Sequence, residues 1–146
     1  MSVRFGGSVD LPKPIEDVYR FLTEAQQETD WRRPYVLSSR KLTEGPVDVG
    51  TRFETVNHFW GKKETVVTEI TAKQPPTLLS WKQVNKGTFV TDGSYRLEPG
   101  NGGTTFTLEL IGEGRGFFKP LEKVFARYQD KRVIPRFLRQ LSEALG

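Results

Sequence analysis

The first candidates for a functional role are Asn57, Gln83 and Tyr95. Their polar groups fall at the same alternating positions as large aromatic side chains, so they should share one face of a sheet with those rings. Their amide and hydroxyl groups can donate and accept hydrogen bonds. A covered, mostly aromatic surface rarely holds such groups unless each finds a partner. The pattern indicates either a filled core with satisfied polar groups or a pocket whose polar groups orient a bound molecule.

Two charged residues are weaker candidates for catalysis or binding. Glu64 follows the turn at Gly61 and is predicted to alternate inward with Val66 and Ile70, where a buried carboxylate would suit acid–base chemistry. The alternative is a rim residue paired with Arg or Lys. Arg115 lies in the glycine-rich segment 112–116, which lacks the Gly-Lys-Ser/Thr ending of a phosphate-binding loop. We interpret that segment as a flexible link in which Arg115 could meet an anionic group.

The composition excludes several other chemistries. The chain has no cysteine, which excludes disulfides, thiolate nucleophiles and zinc–thiolate sites. Its single histidine, His58, excludes a multi-histidine metal site, and alternation places it on the outer, solvated face. Carboxylates are not clustered, so we expect no metal and no cofactor. The sequence shows neither a long apolar run nor an apolar leader at its N-terminus, and we therefore expect a cytoplasmic protein.

The elements that must position these residues are mostly strands. The 146 residues predict a single domain spanning 1–146. A first strand is predicted over Ser2–Val9, a helix beginning at Pro14, and a second short helix from about Glu24 to Trp31. Runs rich in Val, Thr and aromatic residues, separated by turn signals, then predict an antiparallel meander of six strands. These are Tyr35–Leu42, Thr51–Trp60, Lys62–Ala72, Leu78–Val84, Thr88–Leu97 and Thr104–Ile111.

Alternation along these strands, together with the last helix, selects the residues expected to face a cavity. We expect a binding surface made of Trp31, Phe53, Asn57, Phe59, Trp81, Gln83, Phe89, Tyr95, Phe106, Phe118, Phe125 and Tyr128. A register slip of one residue would reverse every strand face, and a filled core is the alternative.

The segment after Gly116 predicts one long helix of about 28 residues. Its first half predicts a buried apolar face, made of Phe117, Phe118, Leu121, Val124, Phe125 and Tyr128. Beyond Asp130 the apolar stripe rotates by more than 90°, and Pro135 removes a backbone hydrogen bond. We therefore predict a kink or irregular turn between about Lys131 and Pro135.

The order of these elements resembles the helix-grip fold of the START-like and polyketide cyclase/dehydrase superfamily. The resemblance is carried by short segments spread over most of the chain: Val9–Leu22, Trp31 with Pro34, Val49–Phe53, Ile70 with Pro75-Pro76, Tyr95–Pro99 and Gly103–Thr107. It implies an α+β protein whose curved seven-stranded antiparallel sheet wraps around a long C-terminal helix, with two short helices after the first strand. It also implies a cavity between sheet and helix, but no catalytic motif of the superfamily matches here.

Three functions remain open from the sequence. The first is noncovalent binding of a hydrophobic or aromatic small molecule. The second is a metal-free cyclase or dehydratase, for which Tyr95, Glu64, Asn57 and Arg115 are the catalytic candidates. The third is an anion-surface module, because residues from Arg115 onward hold eight basic and three acidic side chains. Nucleic acid is disfavoured because binding signatures are absent, contact with a membrane surface stays open, and the sequence does not decide the oligomeric state.

Overall fold

The computed structural model describes residues 3–24, 32, 35–59, 61–100 and 102–145, with the side chain of residue 59 left out. In these residues, seven strands form one curved antiparallel sheet, a short helix follows the first strand, and a long helical segment ends the chain. The strands are β1 Val3–Leu11, β2 Val36–Lys41, β3 Arg52–Phe59, β4 Lys62–Gln74, β5 Leu78–Gln83, β6 Phe89–Gly100 and β7 Gly103–Gly114.

The strand order is β1-β7-β6-β5-β4-β3-β2, so every neighbouring pair from β2 to β7 is also consecutive in sequence. This confirms the predicted meander. The first strand closes the sheet against the last, with Phe5 opposite Leu110. Two irregularities bend the sheet, one in β2 near Ser38 and one in β4 between Ile70 and Ala72. Such bulges increase the local twist and let the sheet curve around the helix.

Helix α1 spans Ile15–Glu24 and begins directly after Pro14, with Glu16 and Asp17 in its first turn. Acidic residues at that end interact favourably with the helix dipole. One face is buried, and within it the Tyr19 hydroxyl donates a hydrogen bond to the carbonyl of Leu78 at 3.0 Å. The predicted second short helix lies outside the described residues.

The C-terminal segment is helical throughout but changes its winding three times. A 3-10 helix over Gly116–Leu121 leads into α2 (Glu122–Tyr128), a π-helical turn (Gln129–Val133) and α3 (Ile134–Leu145). Pro135 has no N–H to bond the carbonyl of Lys131, and the preceding N–H of Ile134 bonds the carbonyl of Gln129 instead. The predicted irregular turn is therefore present and starts two residues earlier than expected.

The predicted buried face of the first half of this segment is correct only in part: Phe125 is buried, and Phe118, Leu121 and Tyr128 are half-buried. Phe117 and Val124 are exposed, at 83% and 54% of their surface, whereas Glu122, Ala126 and Gln129 are buried. The segment begins as a 3-10 helix, which has three rather than 3.6 residues per turn. The side chains that follow therefore point in other directions than a regular α-helix would give them. The Glu122 carboxylate also accepts a buried hydrogen bond from the Gly114 N–H at 2.9 Å, which holds that face of α2 inward.

The glycine-rich segment 112–116 is more ordered than predicted. Gly112 and Gly114 belong to β7 and pair with Thr91 and Phe89 of β6. Only Arg115 separates the strand from the 3-10 helix, and its N–H bonds the carbonyl of Thr88. The link is thus a paired strand end rather than a flexible loop.

Close approach at Gly7 joins α3 to the sheet. A Cβ built on Gly7 would lie 3.2 Å from the side chains of Ile134 and of Leu138. Ile134 and Leu141 are buried in the main core beneath α3, and Phe137 packs against the wholly buried Phe106. This end of the space between sheet and helix is filled with side chains.

Candidate ligand cavity

The other end of that space is open. A cavity of about 380 Å³ lies between the concave face of the sheet and the 3-10, α2 and π segments. Eight of the twelve residues predicted for a binding surface line it, together with Glu64: Phe53, Asn57, Trp81, Gln83, Phe89, Tyr95, Phe118 and Phe125. They come from β3, β5, β6 and the helical segment, because alternate residues of each strand face the same side.

Trp81 forms part of the cavity wall because its neighbour on the next strand is a glycine. Gly93 pairs with Trp81 in the sheet, and a Cβ at Gly93 would lie 2.5 Å from the indole ring. The indole therefore lies across the Gly93 backbone. It also contacts Tyr95, with ring centroids 4.7 Å apart. Together the two rings make a fixed aromatic surface at the centre of the sheet.

A second group of rings joins the sheet to the helical segment. Phe89 of β6 stacks on Phe125 of α2, and Phe5 of β1 meets Phe125 edge-on at 5.6 Å. Phe118 contacts Phe89 at 5.8 Å, and the ammonium group of Lys62 lies 5.4 Å from the Phe118 ring centroid. These side chains enclose the cavity on its helical side, and exposed Lys62 marks its edge.

Glu64 faces the cavity, as predicted, but its carboxylate already has a structural contact. It accepts a hydrogen bond from the backbone N–H of Thr88, and its Oε1 would lie 2.6 Å from a Cβ on Gly87. The Thr88 hydroxyl in turn accepts a hydrogen bond from Lys62 at 2.9 Å. Glu64 therefore holds the β5–β6 loop at the edge of the cavity.

The side-chain amide of Gln83 also makes hydrogen bonds within the protein. Its oxygen accepts a hydrogen bond from the Thr91 N–H at 3.1 Å, and its nitrogen donates one to the Asn85 carbonyl at 3.3 Å. Its own backbone N–H bonds the Asp92 carboxylate. Since both ends of the amide bond the protein, Gln83 supports the β5–β6 loop and is less suited to orienting a ligand.

Asn57 differs from Gln83. It pairs with Val36 of β2 and with Glu64 of β4, so it sits in a row of three cavity-lining residues. Its Oδ1 atom is buried and has no hydrogen-bond partner among the described residues. A buried acceptor without a partner is uncommon and costs stability. Asn57 is therefore a polar group of the wall that can still bind a donor.

The remaining candidates lie elsewhere. Phe106 is fully buried and packs against Tyr95 and Phe137 beyond the end of the cavity. Tyr128 does not line the cavity but interacts with Tyr35; its pKa is raised by burial first, and then by Tyr35. Arg115 is exposed, forms a 3.8 Å ion pair with Glu113 and does not reach the cavity. Half-buried His58 also lies outside the cavity, while Trp31 and the side chain of Phe59 fall outside the description.

Sequence reasoning missed several wall residues. Phe5 lies within the first strand predicted over Ser2–Val9 and pairs with Leu110, so applying the same alternation to that strand would have revealed it. Gln129 is only 4% exposed and faces the cavity from the π-helical turn, which a regular helical wheel does not predict. Arg32 precedes β2 in a segment without periodicity, and no pattern indicated that it lines the cavity.

The fold and the cavity define a helix-grip protein with internal room for a small molecule. The family model described as "Polyketide cyclase / dehydrase and lipid transport" matches residues 2–146, and the chain belongs to this family. A comparison with curated proteins gives no significant match.

Solved structures share the fold at low sequence identity. The chain is similar to TTHA0849 from Thermus thermophilus, with 20% identity, a TM-score of 0.82, and coverage of 98% of this chain and 97% of that one. It is similar to Ara h 8.0201 with 17% identity and a TM-score of 0.74, covering 99% and 98%. It also matches about half of the di-domain ARO/CYC protein BexL from the BE-7585A biosynthetic pathway, with 18% identity, a TM-score of 0.75, and coverage of 97% and 49%.

The surfaces outside the cavity carry the charge predicted for the last helix. Lys119, Lys123 and Arg127 are all exposed, and none of them lines the cavity. In the part of the chain that the structure describes, no helix has the length and apolar character needed to cross a membrane.

Proposed function

We propose that this protein binds an apolar, largely aromatic small molecule noncovalently in the cavity between the sheet and the last helical segment. The observation that carries the proposal is the cavity of about 380 Å³, walled by Trp81, Tyr95, Phe89 and Phe125. Its volume falls in the range of about 300–1,000 Å³ that is usual for small-molecule sites. Rings fixed in place by one another bind a flat ligand without a large ordering cost.

The arrangement of the polar groups favours binding over catalysis. Among the described lining residues, Glu64 supplies the carboxylate that faces the cavity, and this carboxylate already accepts a hydrogen bond from the Thr88 N–H. Gln83 is likewise bonded at both ends. A cyclase or dehydratase would need a proton-transfer group that is free to approach the substrate. The similarity to ARO/CYC proteins supports the fold, and an enzymatic role remains the second proposal.

The first experiment identifies the natural ligand. Native mass spectrometry of the purified protein, followed by denaturation and analysis of the released small molecules, should show one aromatic or largely apolar compound bound at a ratio of one to one.

The second experiment tests whether the cavity is the binding site. We expect the fluorescence of N-phenyl-1-naphthylamine to rise on binding to the wild-type protein. The Thr55→Trp variant fills the cavity and should lose most of this affinity, since Thr55 lines it. Thr65→Trp adds the same residue to the exposed side of β4 and is the matched control. Equal binding by both variants would place the site elsewhere and refute the proposal.

A further inference from the structure

Arg32 brings a positive charge to the wall of an aromatic cavity. Among the described residues that line the cavity, the charged ones are Arg32, Lys62 and Glu64. Lys62 and Glu64 meet at Thr88, where each makes a hydrogen bond. Arg32 takes no part in these two hydrogen bonds; it precedes β2 in the sequence, and its Nε atom is shielded from solvent.

The charge of Arg32 is retained in spite of burial. Burial lowers the pKa of Arg32, and an electrostatic interaction with Tyr95 acts in the opposite direction. A guanidinium group remains protonated in proteins because its ordinary pKa lies far above neutrality. The Tyr95 side of the cavity therefore has a permanent cation with several N–H donors. In a site of low polarity such a cation interacts strongly with an anion.

Asn57 adds an acceptor to the same cavity. Its buried Oδ1 has no hydrogen-bond partner in the described part of the chain. Its strand neighbour Val36 follows Arg32 by only four residues, and both line the cavity. The wall thus contains a charged donor and a neutral acceptor, which suit an anionic oxygen and a hydroxyl or N–H group on one ligand.

We infer that the ligand is a hydroxylated aromatic carboxylic acid, whose carboxylate accepts hydrogen bonds from Arg32 and whose hydroxyl donates to Asn57. The inference rests on the proposed function, because it specifies the ligand class of the same cavity. The aromatic body of such a molecule would lie against Trp81 and Tyr95.

Isothermal titration calorimetry with matched probes tests the carboxylate. 2-Naphthoate and 2-naphthalenemethanol share one ring system and differ in charge. We expect the wild-type protein to bind 2-naphthoate about tenfold to a hundredfold more tightly, the range of a charge-assisted hydrogen bond. Arg32→Gln should remove this preference while keeping affinity for the neutral alcohol. Arg115→Gln changes an exposed arginine outside the cavity and should keep the preference.

The hydroxyl is tested with a third probe. 6-Hydroxy-2-naphthoate should bind the wild-type protein more tightly than 2-naphthoate, and Asn57→Leu should abolish that difference while the preference for the carboxylate remains. Affinity for the neutral alcohol also shows that each variant is folded.

Two results overturn the inference in distinguishable ways. Equal wild-type affinity for 2-naphthoate and the alcohol, or a preference that survives Arg32→Gln, refutes the anionic ligand and leaves the cavity proposal standing. The proposed function, and this inference with it, is refuted by a different result. In that case none of the naphthalene probes binds, and Thr55→Trp binds N-phenyl-1-naphthylamine as well as the wild-type protein does.

Discussion

The rings of Phe89 and Phe125 lie nearly parallel, with centroids 4.0 Å apart and an angle of 12° between their planes. One belongs to β6 and the other to α2, so this stack connects the sheet to the helical segment where the cavity is open. Phe5 and Phe118 add edge contacts on either side. These aromatic contacts attach α2 and the 3-10 helix to the sheet beside the cavity.

Removing the ring of Phe125 should destabilise the protein strongly. Phe125 is 7% exposed, and we expect Phe125→Ala to lower the free energy of unfolding by about 3–5 kcal/mol, with a smaller loss for Phe125→Leu. Phe117→Ala is the control, because Phe117 is mostly exposed and its loss should change stability by less than about 0.5 kcal/mol. Equilibrium urea unfolding measures both. Similar losses in the two alanine variants would contradict the contact.

A side chain at Gly93 should displace the Trp81 indole. Because a Cβ there would lie 2.5 Å from the ring, we expect Gly93→Val to cost about 1–3 kcal/mol and to shift the tryptophan emission. Ser94→Val introduces the same side chain on the opposite face of β6 and should leave the emission unchanged. An unshifted spectrum in Gly93→Val would show that the indole does not lie on this glycine.

Alternation predicted the sheet side of the cavity well. Phe53, Trp81 and Tyr95 face inward because their strands pair in the expected register, and neither bulge reverses that face. Pro135 likewise predicted an irregular turn, since a missing N–H acts locally.

The helical side of the cavity could not be predicted in the same way. Gln129 turns inward because the π-helical turn adds a residue to the local repeat, and Phe117 turns outward because the segment begins as a 3-10 helix. The hydrogen bond from the Gly114 N–H to the Glu122 carboxylate also holds one face of α2 inward, and a helical wheel does not contain such a contact. Arg32 lies outside the strands and the last helical segment whose periodicity selected the other candidates, so no periodic signal indicated it.

Loss of the Glu122 carboxylate should weaken the junction between β7 and α2. The carboxylate accepts the buried N–H of Gly114, and we expect Glu122→Ala to lower the free energy of unfolding by about 1–3 kcal/mol because that N–H loses its partner. Glu143→Ala is the control, since Glu143 is exposed and its ion pair with Arg139 is long, at 4.0 Å. Amide hydrogen exchange at Gly114 should accelerate in the first variant alone. Unchanged protection there would argue against the bond.

Tyr19 should make the stability fall at high pH. Burial, assisted by Asp48, raises the pKa of Tyr19 from 10.0 to about 12 in the folded protein. Folding then favours the protonated phenol, so this contribution is complete below about pH 10 and is lost as the pH rises towards 12. The wild-type free energy of unfolding should therefore drop more steeply over that interval than that of Tyr19→Phe. Parallel pH profiles would contradict the raised pKa.

The π-helical turn divides the last helical segment into a part that lines the cavity and a part that packs against the sheet. α3 packs closely on β1 at Gly7 and buries its own Leu141, whereas the 3-10 and α2 portions border the cavity. Substitutions before this turn can therefore change the shape of the cavity with the packing of α3 left intact. Diversification of ligand choice, by natural drift or in a designed library, is best tolerated between Phe117 and Gln129, provided that Glu122 and Phe125 are kept.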